Sequence, residues 1–485
     1  MIGFGSPGIN EPTEPYSLLR NYLTSTEVQG PPTIKQLNWE ISNPFEIYRR
    51  LNPQFEHSFI LESSAGPEEL AESTFMGYDP EVILTLSNGT FKENGKPVLE
   101  TGDPLHHLKR LESNLEGFAP DSFTNYFGGL VGYTSYDFVR YLEDFPPPDG
   151  ERSFPDLQLG LFTDGIIHDR NRGKLTYFSY DEDRSQELRK LIHSIEPDRK
   201  SDLRLKGLES DFCKSDFCSS VTKAKDYIRK GDIYQTVLSR ELTGRFEGDP
   251  LTAYKKLREI NPSPYMYHLK FGNTRVIGSS PEELVSVSDG EISTYPIAGT
   301  RSLGDTRRER EKLRTELITD DKERAEHNML VDLARNDVGR VAEYGTVDVP
   351  EYMEVKKFSH VQHIVSQVTG KLARGKKNFD AFASLFPAGT VSGAPKIRAM
   401  ELIDELEINP RGPYAGAVGY LSFTGDLDSC ITIRSLFTKG SQISLRAGAG
   451  IVADSKPEKE WEEINHKLGA LREVVSSGGR NNANH

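Results

Sequence analysis

One acidic segment has the residue types and the spacing of a metal or acid–base site. Residues 320–330 (DDKERAEHNML) predict a helix, and residues three and four apart on a helix are neighbours. Glu323, Glu326 and His327 therefore share one face. The same pattern also suits a solvated acidic face near a helix N-terminus, where carboxylates are stabilised by the helix dipole. The spacing alone leaves both interpretations open.

A second carboxylate lies near the C-terminus. Residues 455–458 (SKPE) form a capping box with Pro in the first turn, which predicts a helix over 457–475. On this helix Glu463 could form a surface pair with Lys467, worth about 0.2–0.5 kcal/mol. If the fold instead brings Glu326 and Glu463 together, their oxygens suit Mg²⁺, which shares one or two carboxylates with water and an anionic ligand.

Two segments rich in small residues are suited to an anionic ligand. Residues 387–396 (PAGTVSGAPK) place hydroxyls, a helix start and a lysine close together, which favours an anion-binding loop. Residues 445–452 (LRAGAGIV) predict a strand with Gly448 and Gly450 on one face. A bare face lets a ligand reach the backbone, although close packing under another sheet would give the same pattern. Neither segment matches a phosphate-binding or dinucleotide-binding fingerprint.

An arginine and two histidines interrupt apolar runs. Arg434 stands in residues 430–436 (CITIRSL), which predict a strand. A charge in such a strand lies at an edge or holds a carboxylate bidentately. His360 and His363 are either core residues or, for one of them, a proton donor near neutral pH.

Composition excludes several classes of protein. Of 485 residues, 59 are Lys or Arg and 73 are Asp or Glu, which gives a net charge of −14 and disfavours nucleic-acid binding. No apolar run approaches the roughly 18–20 residues of a membrane span, and the N-terminus lacks a secretory pattern. The three cysteines are too few for a disulfide framework. We therefore expect a cytoplasmic protein without a membrane or nucleic-acid partner.

The coarse pattern predicts sheets with outlying helices, of α+β or layered α/β class. Residues 34–180 are mostly short strands around a helix at 104–115, and a further helix follows at 182–195. Residues 196–216 are charged and aperiodic, as in a linker. The resulting division is 1–205, 217–476 and a polar tail, 477–485. Further helices are predicted over 219–230, 251–260, 320–338, 395–406 and 457–475.

Ten segments resemble those of the chorismate-utilising enzymes, the family of anthranilate synthase component I, aminodeoxychorismate synthase component I and the isochorismate and salicylate synthases. In order they are GDIYQTVLSR, GSSPEEL, PIAGTR, ERAEHNMLVDLARNDVGRV, FSHVQHIVS, FPAGTVSGAPK, GAVGYLSF, ITIRSL, AGAGIVADS and EKEWEEINHK. They cover residues 231 to about 475, and FILESS and GGLVGYTSYDFVRYLE extend a looser match towards the N-terminus. The resemblance implies a four-layer α/β/β/α sandwich, two stacked sheets with outer helices, around a magnesium-dependent chorismate site.

The resemblance also implies roles for individual residues. Glu326 and Glu463 would hold Mg²⁺, with support from Glu323 and Glu460. His363 and Glu282 would assist departure of the ring hydroxyl, and Thr390 would line the reacting centre. The substrate-binding residues implied are Gly299, Thr300, Tyr414, Arg434, Gly448, Ala449, Gly450 and Lys467.

Two positions discriminate within the family. Members that add water carry a lysine base where this chain has Gln235, and an amide cannot deprotonate water. Many aminodeoxychorismate synthases carry a lysine nucleophile where this chain has Ala298. The resemblance therefore favours attack of ammonia on chorismate and elimination of pyruvate to give anthranilate, in tryptophan biosynthesis. Because some aminodeoxychorismate synthases share the alanine, that activity remains the alternative.

Two further motifs imply regulation and a partner. FILESS and residues 261–266 (NPSPYM) resemble segments that form a tryptophan inhibitor site in anthranilate synthases. Ser63, Pro264, Tyr265 and Met266 would line it; an edge strand and a Pro-rich turn are the alternative. No cysteine has the setting of a glutaminase nucleophile, so ammonia would come from solution or from a separate glutamine amidotransferase subunit.

Overall fold

The computed structural model describes residues 31–63, 73–115, 125–145, 152–194, 202–358 and 361–475. The helices of these residues are α1 (Pro44–Leu51), α2 (Pro104–Leu115), α3 (Ser185–Ser194), α4 (Lys214–Lys230), α5 (Leu251–Ile260), α6 (Arg307–Thr319), α7 (Asp321–Gly339), α8 (Asn378–Leu385), α9 (Lys396–Leu406) and α10 (Pro457–Val475). None of them combines the length and the apolar character needed to span a bilayer.

The strands of the same residues are numbered in chain order. They are β1 (Thr33–Leu37), β2 (His57–Glu62), β3 (Ser73–Tyr78), β4 (Val82–Ser87), β5 (Thr90–Glu93), β6 (Lys96–Glu100), β7 (Gly129–Thr134), β8 (Leu157–Phe162), β9 (Asp164–Asp169), β10 (Lys174–Ser179), β11 (Arg204–Ser210), β12 (Gln235–Glu247), β13 (Tyr265–Phe271), β14 (Thr274–Ser280), β15 (Glu283–Ser288), β16 (Glu291–Thr294), β17 (Ile297–Ser302), β18 (Asp348–Lys357), β19 (Val361–Lys371), β20 (Gly393–Ala394), β21 (Ala417–Ser422), β22 (Leu427–Ile431), β23 (Ser435–Lys439) and β24 (Gln442–Ile451).

The strands form two large antiparallel sheets. The first has the order β1-β10-β9-β3-β2-β13-β14-β23-β24-β12-β11, with β20 also paired to β12. The second has the order β17-β19-β16-β15-β22-β21-β7-β8-β4-β5-β6, with β18 also paired to β19. Each sheet joins strands from both halves of the sequence, for example β2 with β13 and β7 with β21. The predicted α+β architecture of two sheets with outer helices is confirmed.

Strand alternation divides the apolar residues of the first sheet between two cores. Phe59 and Val276 belong to the core that contacts the second sheet, and their neighbours Ile60 and Ile277 belong to the core under the outer helices. This division follows because successive strand side chains point to opposite faces. The first sheet is therefore apolar on both faces, as a sheet covered on both sides must be.

Most predicted elements are confirmed, and one segment differs. The helices predicted over 104–115, 251–260 and 457–475 match α2, α5 and α10 in both bounds. The predicted linker at 196–216 was wrong for its described part, because β11 pairs with β12 within it. Its charged residues are exposed on an edge strand, where a polar sequence is tolerated on both faces.

A buried ion cluster lies where β12, β24 and the segment after α9 meet. The Glu407 carboxylate accepts hydrogen bonds from Arg411 at 2.6 Å and from Arg446 at 2.7 Å. The side chains are 4%, 1% and 1% exposed, so all three charges are removed from water. Burial alone would raise the pKa of Glu407, but the two guanidinium groups lower it below its usual value.

The two arginines also hold the backbone of neighbouring segments. Arg411 donates to the carbonyl oxygens of Val237 on β12 and Val391, each at 2.7 Å. Arg446 donates to the carbonyl of Pro410 at 2.7 Å. Through these bonds the cluster fixes three segments relative to one another.

Replacing Glu407 by alanine should destabilise the protein by about 3–5 kcal/mol, because it leaves two buried guanidinium groups unpaired. Urea unfolding followed by circular dichroism measures this loss. Glu401→Ala is the matched control: it removes an exposed ion pair with Arg398 on the same helix, which is worth about 1 kcal/mol or less. Equal losses in the two variants would contradict a special role for Glu407.

Candidate active site

Two carboxylates on helices from opposite outer layers approach each other. Glu326 lies on α7, which packs on β17 and β19 of the second sheet, and Glu463 lies on α10, which packs on β24 of the first. Burial raises the pKa of Glu326, and the negative charges of Glu323 and Glu463 raise it further. The nearby Gln235 amide partly opposes this rise.

This group of carboxylates fits a hard cation. Burial and the Glu463 charge also raise the pKa of Glu460, so the carboxylates repel one another where a cation would stabilise them. Their oxygen donors are those that Mg²⁺ prefers. Within the described ranges, no group of three or more His, Cys, Asp and Glu side chains is arranged to hold a metal ion. A magnesium ion would therefore need further ligands from water and an anionic substrate, and its binding here stays a prediction.

The end of β24 offers a bare backbone surface. A Cβ atom on Gly450 would lie 2.7 Å from the Gln235 amide nitrogen, and one on Gly448 would lie 2.8 Å from the Tyr414 hydroxyl. The Lys467 ammonium donates to the Gly448 carbonyl at 2.8 Å. The side chain of Ala449, between the two glycines, belongs to the core under the outer helices. Only the backbone of Ala449 is therefore available on the face that the two glycines share.

His363 is held in a defined orientation beside Gly299. Its Nδ1 lies 2.7 Å from the Gly299 carbonyl oxygen and 3.2 Å from the Thr300 hydroxyl. Because a carbonyl only accepts, Nδ1 carries the proton and Nε2 is left for a ligand. Burial lowers the pKa of His363, so the ring is neutral at pH 7. Gly299 has φ +65°, and a Cβ there would lie 3.1 Å from a Glu323 oxygen, which links this wall to α7.

Glu282, Thr390 and Arg434 form the opposite polar group of the site. Burial raises the pKa of Glu282 to about 7, while Thr390 and Arg434 lower it by smaller amounts. The Thr390 hydroxyl is buried and has no hydrogen-bond partner within 3.5 Å in the described part of the chain. Its effect on Glu282 therefore comes from proximity, without a full hydrogen bond. The Arg434 charge also lowers the pKa of His363, which places the two side chains near each other.

Two details of the sequence interpretation were wrong, and the structure decides one question that the sequence left open. Arg434 lies between β22 and β23 with φ +51° and an exposed side chain, outside any strand. Lys396 donates to Asp337 at 2.6 Å, so its ammonium does not serve the predicted anion-binding loop. His327 is fully buried against Ser366 at 2.6 Å, with a pKa lowered to about 4 by burial. It is a core residue, and His360 lies outside the described residues.

The residues predicted for an inhibitor line a separate cavity between the two sheets. Ser63, Pro264, Tyr265 and Met266 all contribute to its wall, and its volume is about 250 Å³. This is close to the lower bound of about 300 Å³ for small-molecule sites. Met266 belongs mainly to the core under the outer helices.

Sequence reasoning missed several residues of these two sites. Gln235 was considered only as a replacement for lysine, yet its amide lies close both to Glu326 and to Gly450 on β24. Glu283 and Asp428 line the cavity between the two sheets. The acidic pair in PEEL was a usable signal for Glu283, whereas only strand pairing brings Asp428 beside it.

The proton on Glu282 can be tested directly. Its carboxyl should remain protonated below about pH 7 and ionise above it, because burial opposes the charged form. Infrared difference spectroscopy of the carboxylic acid band across pH, with Glu282→Gln to assign the band, measures this titration. Arg434→Gln should move the midpoint upward, since it removes a stabilising positive charge. A midpoint near pH 4.5 would contradict the assignment.

Comparison with known proteins places the chain in a family. The model of the chorismate binding enzyme family matches residues 56–473. Anthranilate synthase component 1 of Methanothermobacter thermautotrophicus is 43% identical over 95% of this chain and 97% of its own length. The crystal structure of anthranilate synthase component I from Streptococcus pneumoniae matches with a TM-score of 0.74 and 36% identity, over 83% of this chain and 92% of that one.

A more distant structure shows how widely the fold is shared. The menaquinone-specific isochorismate synthase from Escherichia coli has a TM-score of 0.70 at 21% identity, over 95% of this chain and 99% of that one. At this identity the likeness concerns the fold alone. The family match and the component 1 relatives show that this chain belongs to the chorismate binding enzymes.

Proposed function

We propose that this protein is the chorismate-aminating component of an anthranilate synthase, converting chorismate and ammonia to anthranilate and pyruvate. One observation carries the proposal: Glu326, Glu463 and Gln235 lie close together, and Gln235 also adjoins the glycines of β24. Its relatives with high identity are anthranilate synthase components. The reaction forms a bond from ammonia to ring carbon 2, expels the ring hydroxyl as water, and then eliminates pyruvate with loss of a ring proton.

The chain's own residues would bind and orient chorismate. Arg434 and Tyr414, with the backbone at Gly448 and Gly450, are suited to the enolpyruvyl carboxylate, because a guanidinium and bare backbone groups donate to anions. Magnesium held by Glu326 and Glu463 would supply charge neutralisation at the ring carboxylate.

The proton donor for the departing hydroxyl is best assigned to Glu282. Its carboxyl carries a proton near neutral pH because burial raises its pKa to about 7. Neutral His363, with Nδ1 bound to the Gly299 carbonyl, can orient the hydroxyl but does not hold a spare proton. A pKa matched to working pH is the property that a general acid needs.

Two residues argue against related reactions. Gln235 is buried and lies close to Glu326, so no base stands there to activate water. Ala298 supplies no amine for a covalent intermediate. Aminodeoxychorismate synthesis remains the alternative, since it also begins with ammonia addition and can proceed without that amine.

The proposal includes regulation and a partner. The cavity that contains Ser63 and Tyr265 would bind tryptophan as a feedback inhibitor and shift the protein away from its chorismate-binding state. Ammonia would come from a glutamine amidotransferase subunit, in the cytoplasm.

The decisive experiment supplies chorismate, ammonium and magnesium to the purified chain and follows anthranilate fluorescence. Fluorescence that grows, and that falls when tryptophan is added, supports the proposal. Chorismate consumption without fluorescence would support aminodeoxychorismate formation, which an added lyase would reveal. No consumption of chorismate would overturn both.

Glu463→Gln should reduce turnover at least about 100-fold, because it removes one of two predicted magnesium carboxylates. Calorimetric titration with magnesium and chorismate should show weaker metal binding, while the melting temperature stays unchanged. Glu462→Gln is the matched control on the exposed face of α10. Unchanged magnesium binding by the Glu463 variant would remove this residue from the metal site.

Ser63→Ala should raise the tryptophan concentration for half-inhibition about 2- to 12-fold, the loss expected for one hydrogen bond of about 0.5–1.5 kcal/mol. Uninhibited activity should stay the same, because the cavity is separate from the chorismate site. Ser219→Ala, on the exposed face of α4, should leave inhibition unchanged. Equal inhibition of both variants would exclude Ser63 from the inhibitor contact.

A further inference from the structure

The cavity between the sheets is strongly acidic. Four carboxylates line it: Glu62, Glu283, Asp426 and Asp428. Among its described lining residues there is no Lys, Arg or His. Burying uncompensated negative charge is costly, so the cavity is suited to a ligand that brings a positive group.

Two of the four carboxylates are already satisfied. Glu62 forms an ion pair with Arg258 at 2.7 Å and accepts from the Tyr254 hydroxyl at 2.6 Å. Asp426 accepts from the Asn125 backbone at 2.7 Å and from a threonine hydroxyl at 2.9 Å. Neither group requires a ligand to complete its bonds.

Glu283 and Asp428 are different, because they compete for one phenol. The Tyr265 hydroxyl lies 2.9 Å from a Glu283 oxygen and 3.1 Å from an Asp428 oxygen. A phenol has one proton to donate, so it cannot satisfy both carboxylates fully. Neither has an ion-pair partner in the described part of the chain. Their other donors are neutral: the Ser286 hydroxyl lies 3.0 Å from Glu283, and the backbone N–H groups of Ser286 and Ser429 stabilise Glu283 and Asp428 respectively.

The surroundings keep a proton on this pair when the cavity is empty. Burial and the facing Asp428 charge raise the pKa of Glu283, and burial raises that of Asp428. The other titratable groups facing the pair are Asp426, whose negative charge raises the pKa of Asp428 further, and Tyr265, Tyr420 and Cys430, whose pKa values burial raises well above usual. The two phenols and the thiol stay protonated near neutral pH, so the pair is able to exchange a proton.

We propose that Glu283 and Asp428 form the ammonium subsite of this cavity, and that a bound ammonium displaces the proton which the pair otherwise shares. The empty pair holds one proton and one negative charge. With the ammonium bound, both carboxylates are ionised and the proton passes to solvent, so the local net charge is unchanged. This inference rests on the proposed regulatory cavity. It identifies the carboxylate pair as the group that would distinguish an amino acid from a neutral aromatic molecule in that cavity.

The remaining wall fits the apolar side chain of such a ligand. Phe75, Val287, Val418 and Tyr420 offer apolar surface around the pair. An aromatic or aliphatic side chain would pack against this surface while its ammonium meets the carboxylates. An amine on a compact apolar body is therefore the ligand class, and tryptophan is the probe for testing it.

Calorimetric titration of the full chain with tryptophan at pH 7, in buffers of different ionisation enthalpy, counts the protons released. About one proton per tryptophan should be released, and the number should fall as the pH rises and the empty pair ionises. Indole-3-propionate, which lacks the ammonium, should release none and bind more weakly. Tryptophan binding with no proton release at pH 7 would overturn the inference.

Variants then locate the proton. Glu283→Gln and, independently, Asp428→Asn should each abolish proton release and weaken tryptophan binding at least about tenfold. Asp426→Asn is the matched control in the same cavity, and it should retain release because that carboxylate is already satisfied. Release that persists in both pair variants would place the proton elsewhere and reject the subsite while leaving the regulatory cavity intact. If tryptophan neither binds nor inhibits the wild-type protein, the regulatory cavity and this subsite both fail.

Discussion

A single buried carboxylate sets the relative positions of the segments that build the candidate site. Glu407 holds two arginines, and one of them, Arg411, reaches the backbone of β12 and of the turn that carries Thr390. Removing charges from water is costly unless each finds a partner, so the cluster is stable in one arrangement only. The geometry of the site therefore depends on this ion cluster.

The layered architecture explains why the site is assembled from distant parts of the chain. The helix of Glu326 packs on the second sheet and the helix of Glu463 on the first. Only the stacking of the sheets brings the two carboxylates near each other. The same stacking creates the acidic cavity farther along the interface, so catalysis and the proposed regulation depend on one interface.

The sequence predicted those features that depend on local patterns. Helix α10 followed from its capping box and apolar stripe, and Gly448 and Gly450 from their spacing on a strand. The resemblance supplied the roles of His363 and Glu282, and the structure places both near Arg434. Features that depend on tertiary contacts could not be predicted. Lys396 was assigned to the anion-binding loop because its partner Asp337 lies 59 positions away. The role of His327 stayed open because a helical face does not show which side meets the core.

The buried pair of carboxylates was hidden for the same reason. Glu283 is adjacent to Glu282 in the sequence, but Asp428 lies on another strand and approaches it through antiparallel pairing. A single-sequence pattern contains no information about such pairing unless both strands belong to one hairpin. The acidic character of the cavity is thus a property of the sheet, and no single motif carries it.

The adjacency of Glu282 and Glu283 limits how this protein can be altered. One side chain belongs to the group with Thr390 and the other to the group with Tyr265, so two consecutive residues serve the two sites. A backbone shift at the start of β15 that weakened the proposed inhibitor site would also displace Glu282, the proposed proton donor. The opposite wall, at Ser63 and Phe75, can be redesigned without that effect. Substitutions that relieve the proposed inhibition should therefore accumulate on this wall of the first sheet and spare the start of β15.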